Sequence, residues 1–183
     1  MLEFEQTSIP DLLVLHPKVI GDERGFFMET FRVDDFARCG IAGPFVQDNH
    51  SGSQRGILRG LHYQIRQPQG KLFRVLVGKV FDVAVDLRRS SATFGKWQGV
   101  YLSAENKKQF WVPAGFAHGF YVLSEWAEVF YKTTDYYAPE WERCLAWNDP
   151  TIGVAWPLID GQMPRLSDKD RCGKLLAEAE VYD

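Results

Sequence analysis

The chain has 183 residues, 45% of them hydrophobic and 25% charged, with a net charge of -3. That composition suits one globular domain over 1–183 and offers no broad basic field for a nucleic-acid backbone. Cys39, Cys144 and Cys172 stand far apart and make no complete disulfide set. The first residues lack the basic-then-apolar pattern of a secretory leader and no stretch suits a bilayer, so the expectation is a cytoplasmic protein without a membrane partner.

Short apolar runs alternate with Gly, Pro, Asn and Asp clusters, the pattern of many strands. The spacing predicts a turn or two of helix over 34–39. Residues 71–87 alternate with period two on both sides of Val77-Gly78-Lys79, which predicts a hairpin. Phe73, Val75 and Val77 share one face of its first arm. Phe81, Val83, Val85 and Leu87 alternate with Asp82, Ala84 and Asp86 on its second. Further strands are expected over 99–103, 109–112, 119–123 and 128–134. A C-terminal helix is expected over 168–179 with Ser167 as its N-cap. The sum is an all-β chain of jelly-roll type with a few short helices. Its core covers about 15–160, and 161–183 packs back on it.

Four histidines exist: His16, His50, His62 and His118. On a strand, Gly60, His62 and Gln64 share one face and Leu61 and Tyr63 the other, as the wall of a wet cavity requires. Pro113-x-Gly115-x-x-His118 resembles the second motif of the cupin superfamily, whose metal-binding members use that histidine as a ligand. The matching first motif here is His62-x-Gln64, with no suitably placed Glu after it. One or two histidines make a poor first-row metal site. The reading is therefore a cupin β-barrel without its metal.

Other candidates admit two readings each. Asp168, Lys169 and Asp170 make a capped, solvated helix start, or supply a carboxylate that orients an imidazole. Arg24 and Arg59 sit in surface turns or bind phosphate oxygens in pairs. Lys71, Arg74 and Lys169 are further cations. Tyr131, Tyr136 and Tyr137 fill core and rim, or serve as a general acid and a stacking plate.

Taken together, residues 21–27, 45–51, 58–64, 69–72, 80–86, 102–106, 113–120, 147–149 and 166–170 resemble, in order, the dTDP-4-dehydrorhamnose 3,5-epimerase family of bacterial L-rhamnose synthesis. The resemblance implies a cupin jelly roll, a homodimer, and no metal or organic cofactor. It implies His62 as base, Asp170 as its carboxylate partner, Tyr131 as proton donor on the opposite face and Lys71 as enolate stabiliser. Arg24, Glu29, Gln47, Asp48, Asn49, Arg59, His118, Glu142 and Lys169 would contact a dTDP-4-keto-6-deoxy sugar, and Tyr137 would stack on its thymine.

The family reaction removes protons beside a ketone. An imidazole with a pKa near 6.5 is poorly matched to a carbon acid; a gap of roughly ten units makes transfer uphill by about 14 kcal/mol. Stabilising the enolate oxygen must therefore supply most of the catalysis. Inversion also needs a second proton source across the ring, and a phenol serves if its pKa is lowered or its phenolate short-lived. The alternatives are a relative acting at one carbon, a ketoisomerase, a metal-dependent cupin oxygenase and a non-catalytic sugar-nucleotide binding module.

Overall fold

A computed structural model describes residues 2–41 and 43–183. Its strands are β1 (Glu3–Gln6), β2 (Leu13–His16), β3 (Val19–Asp22), β4 (Gly25–Met28), β5 (Gln47–Gln54), β6 (Leu58–Gln64), β7 (Lys71–Val77), β8 (Lys79–Asp86), β9 (Trp97–Ser103), β10 (Gln109–Val112), β11 (Phe116–Val122), β12 (Trp126–Thr133) and β13 (Glu142–Cys144). Two short α-helices join them, α1 (Val33–Arg38) and α2 (Asp168–Arg171). The chain is all-β, as its residue pattern predicts. No helix among the described residues is long and apolar enough to cross a membrane.

The strands form a six-stranded sheet in the order β1-β2-β10-β7-β12-β5 and a five-stranded sheet in the order β13-β6-β11-β8-β9. The pairs β5·β12, β6·β11, β7·β10 and β8·β9 nest inside one another, all antiparallel. Such nesting is one long hairpin rolled up, the order of a jelly roll. The strands face each other as two sheets and do not close into a single ring. β3 and β4 stand apart as a two-stranded sheet.

The expected hairpin over 71–87 is corrected by this topology. β7 pairs with β10 and β12, whereas β8 pairs with β11 and β9. Gly78, at φ +76°, turns the chain from one sheet into the other, where an added Cβ would lie 2.1 Å from the Trp126 carbonyl oxygen. Alternation reports that a segment is extended and which side faces where; it does not report the strand's neighbour.

The layers follow from burial. Phe73, Val75, Phe110, Phe120 and Val129 fill the space between the sheets with Val80 and Ala84 of β8. The other side of β8 (Phe81, Val83, Val85) packs with Leu61, Leu145, Trp147 and Trp156, and with Leu176 and Tyr182 from the last turns of the chain. Phe36 of α1 covers Leu13, Leu15, Leu72 and Trp111 on the outer face of the six-stranded sheet. Sheets covered on both faces read as nearly continuous apolar strands.

The C-terminal helix is shorter than the expected 168–179. Ser167 caps it as predicted, accepting from the Asp170 backbone N–H at 3.2 Å. It stops because the next residues pair with the end of β13 and the residues after it: Lys174 N–H donates to the Cys144 carbonyl and Ala146 N–H to that of Lys174. Gly173 permits the approach, since a Cβ there would lie 2.8 Å from Ala146 N. Backbone pairing with another segment overrides helix propensity.

Candidate active site

A cavity of about 620 Å³ opens between the two sheets. Its first wall is built by register. Asn49, Tyr131 and Phe73 are consecutive partners across β5, β12 and β7, and Gln47 and Lys71 flank Thr133 in the next row. The second wall holds the cross-strand pair His62 and His118 of β6 and β11; Cys144 of β13, the other partner of His62, does not line the cavity. The β6–β11 pairing needs two glycines. Gly60 lies against Gly119 so closely that a Cβ on either would come within 3 Å of the other's backbone.

His62 and Asp170 meet on the second wall. Asp170 Oδ1 lies 2.5 Å from His62 Nε2, and its Oδ2 accepts from Ser167 Oγ at 2.7 Å. An ionised carboxylate only accepts, so Nε2 carries the hydrogen and Nδ1 is the basic nitrogen. Burial alone would push the Asp170 carboxyl up, but bonds from His62 and Ser167 outweigh it and hold the group below its ordinary range. Burial lowers the His62 imidazole below 6.5, against the opposing pull of Asp170. His62 is thus a neutral base near pH 7.

Lys71 reaches from the facing sheet and donates to the His62 carbonyl oxygen at 3.3 Å. Burial brings its ammonium down to about 8, with Glu142 and Asp82 resisting. Tyr131 stacks on Phe73, ring centroids 5.8 Å apart. Burial raises the Tyr131 phenol, with Arg59 opposing, so it holds its proton; the phenol is not lowered toward neutral pH. His118 bonds through Nε2 to the buried Asp82 at 2.8 Å. At the rim, Glu142 accepts from Lys169 at 2.7 Å and from the Tyr137 hydroxyl at 2.9 Å. Arg59 donates from Nε to Ser53 Oγ at 2.9 Å.

His62, Asp170, Tyr131, Lys71, Gln47, Asn49, Arg59, His118, Tyr137, Glu142 and Lys169 therefore line one cavity. Arg24, Glu29 and Asp48 do not. Asp48 alternates with Gln47 and Asn49 and faces outward, bonded to Lys132 at 2.9 Å. Arg24 pairs with Asp22 on the separate hairpin, and Glu29 lines a small pocket beside α1. Ser51, Gln69 and Arg165 also line the cavity. Period two from Gln47 and Asn49 could have found Ser51; nothing in its local sequence marks Arg165. Gln64, from the cupin-like pair, is committed to backbone: its amide donates to Gln67 and Tyr136 and accepts from Ala138.

This geometry sets a carboxylate-supported base and a protonated phenol on opposite sheets, with an ammonium beside the base. Such a set can take a proton from one face of a bound ring and return one to the other. Residues 6–178 match the family model described as dTDP-4-dehydrorhamnose 3,5-epimerase. The chain belongs to that family. The family's dTDP-4-dehydrorhamnose 3,5-epimerase of Pseudomonas aeruginosa is 61% identical over 96% of each chain. The solved dTDP-6-deoxy-D-glucose-3,5-epimerase of Legionella pneumophila Philadelphia 1, in complex with dTDP-4-keto-L-rhamnose, superposes with a TM-score of 0.95. It is 54% identical and the match covers 98% of this chain and 95% of that one. A 3'-monoepimerase from Streptomyces bikiniensis, solved with dTDP-quinovose, gives a TM-score of 0.87 at 36% identity, covering 94% and 87%. The epimerase family thus accounts for nearly the whole chain.

Proposed function

We propose that the chain is a dTDP-4-dehydrorhamnose 3,5-epimerase, converting dTDP-4-dehydro-6-deoxy-D-glucose to dTDP-4-dehydro-L-rhamnose through enolates at C3 and C5. The observation that carries this reading is the opposition of His62 and Tyr131 across one cavity, beside Lys71. His62 removes the proton, and Asp170 fixes its tautomer and favours the imidazolium that forms. Lys71 holds the enolate oxygen in a site shielded from water. Tyr131 delivers a proton to the other face, because return from His62 would restore the starting configuration. Arg59, His118, Lys169, Gln47, Asn49 and Glu142 hold the nucleotide sugar, and Tyr137 stacks on the thymine. The enolate charge is met by an ammonium, so this reaction calls for neither a metal nor an organic cofactor.

The whole chain acts as one unit, as a cytoplasmic homodimer. The β3–β4 hairpin supports the second copy. Ile20, Phe26 and Phe27 are 56%, 60% and 65% exposed on it, an apolar surface that a lone chain leaves in water. Arg24 is carried on the same hairpin and Glu29 follows it, both away from their own cavity. Docking the hairpin on a second copy covers the phenylalanines and offers Arg24 and Glu29 to the partner's substrate.

The test is NMR of the product formed in heavy water from the 4-keto nucleotide sugar. The reading requires deuterium at C3 and C5 with both centres inverted. Deuterium and inversion at one carbon would instead assign the activity of the monoepimerase relative.

A further inference from the structure

Cys144 lies outside the chemistry just described, yet it sits beside that chemistry's base. It is the direct partner of His62 across β13 and β6, so the two side chains leave the same face of the sheet. A His62 ring nitrogen, the Cys144 sulfur and an Asp170 carboxylate oxygen all lie within 4.8 Å of one another. The three come from three separate segments; His62 and Asp170 line the cavity and Cys144 stands partly buried beside them. This set differs from the His62, Gln64 and His118 positions of the cupin motifs.

We infer that His62, Cys144 and Asp170 form a binding site for a thiophilic divalent cation of the zinc class, and that its occupancy shuts the enzyme off. Nitrogen, sulfur and oxygen donors are the zinc set. Zinc bonds of about 2.0–2.3 Å place tetrahedral ligands roughly 3.3–3.7 Å apart. The His62 Nε2–Asp170 Oδ1 contact of 2.5 Å therefore opens by about 1 Å around the ion and the sulfur, within 4.8 Å of both, closes on it, shifts within reach of small side-chain rotations. A fourth position is left toward the cavity for water, as in open zinc sites. Binding is balanced by proton movement: the Cys144 S–H breaks, the sulfur–metal bond forms and that proton leaves to solvent, while the His62 Nε2 proton moves to Nδ1 as Nε2 takes the ion, leaving the ring neutral. No electron is transferred. The ion engages both His62 and Asp170, so the base loses its lone pair or its partner.

The loss of activity rests on His62 being the base; the binding does not. Two readouts separate them. Cadmium is titrated into the protein and into Cys144→Ala, Cys144→Ser, Cys39→Ala and Cys172→Ala, following the ultraviolet thiolate-to-cadmium charge-transfer band. Zinc inhibition of solvent-proton exchange into the 4-keto nucleotide sugar is followed in parallel. One equivalent of cadmium should give the band in the parent, Cys39→Ala and Cys172→Ala and not in either Cys144 variant. The Cys144 variants should keep their metal-free activity and need at least about tenfold more zinc for half-inhibition. A chelator should restore the parent. A band that survives loss of Cys144, or no band in the parent, overturns the site. A Cys144-dependent band with undiminished exchange overturns the inhibition. An inactive parent with that band intact would count against the epimerase reading and leave the cation site standing.

Discussion

Asp170 Oδ1 lies 2.5 Å from His62 Nε2, although 108 positions separate the two residues in the chain. The carboxylate raises the imidazole's affinity for protons, while burial lowers it more. Asp170→Asn removes the charge and keeps the shape. The His62 pKa should then fall further below 6.5, and the acid limb of kcat/KM should move to lower pH. The plateau should drop by about a hundredfold or more as the tautomer control is lost. A pH profile of the variant checks the sign; an acid limb that rises would contradict it.

Lys71 predicts the alkaline limb. Its ammonium, held down to about 8 by burial, loses its charge as pH rises through that value, so activity should fall above about 8. Lys71→Arg keeps a cation that does not titrate in this range. Its alkaline limb should disappear, at a reduced rate. Lys71→Met should lower kcat by about 10²–10³, the loss expected for a donor aimed at a developing oxyanion. Rate measurements between pH 6 and 10 (about two units either side of the limb) decide the matter.

The exposed hairpin predicts assembly. Phe26→Asp with Phe27→Asp should turn a dimer into monomers in sedimentation velocity and raise KM, since Arg24 would no longer reach a partner's cavity. Arg24→Ala should raise KM in a protein that stays dimeric. A double variant with native sedimentation and native KM would remove the hairpin from both roles.

The β6–β11 contact predicts a stability cost at Gly119, a glycine that lines the cavity. A Cβ on Gly119 would lie 2.6 Å from the Arg59 carbonyl oxygen and 2.9 Å from Gly60 Cα. Gly119→Ala should cost about 1–3 kcal/mol in urea unfolding, the range for overpacked interiors. Gly21→Ala, whose Cβ meets only a carbonyl oxygen at 3.6 Å, is the control and should cost far less.

Much of this molecule is legible in the residue pattern, within definite limits. Period two marks the segments of β7 and β8, short apolar runs between turn residues mark β9 to β12, and the Ser167 cap marks α2. Pairing is not local, which is why the segments on either side of Gly78 read as a hairpin and yet belong to different sheets. The same limit hides Cys144: its place beside His62 follows from β13 pairing with β6. Alternation alone separates outward Asp48 from Gln47 and Asn49. Arg24 and Glu29 match the family pattern but lie off their own cavity, a fact that only coordinates supply.

The central claim is that removal and return of the proton belong to different side chains on opposite sheets. It is tested most directly by comparing His62→Ala and Tyr131→Phe in heavy water, measuring loss of the C3 and C5 protons and formation of inverted sugar in the same tubes. The account predicts that His62→Ala loses both processes, while Tyr131→Phe still exchanges protons but forms little inverted product. Inverted sugar made at the parent rate by Tyr131→Phe, or proton exchange surviving in His62→Ala, would contradict it.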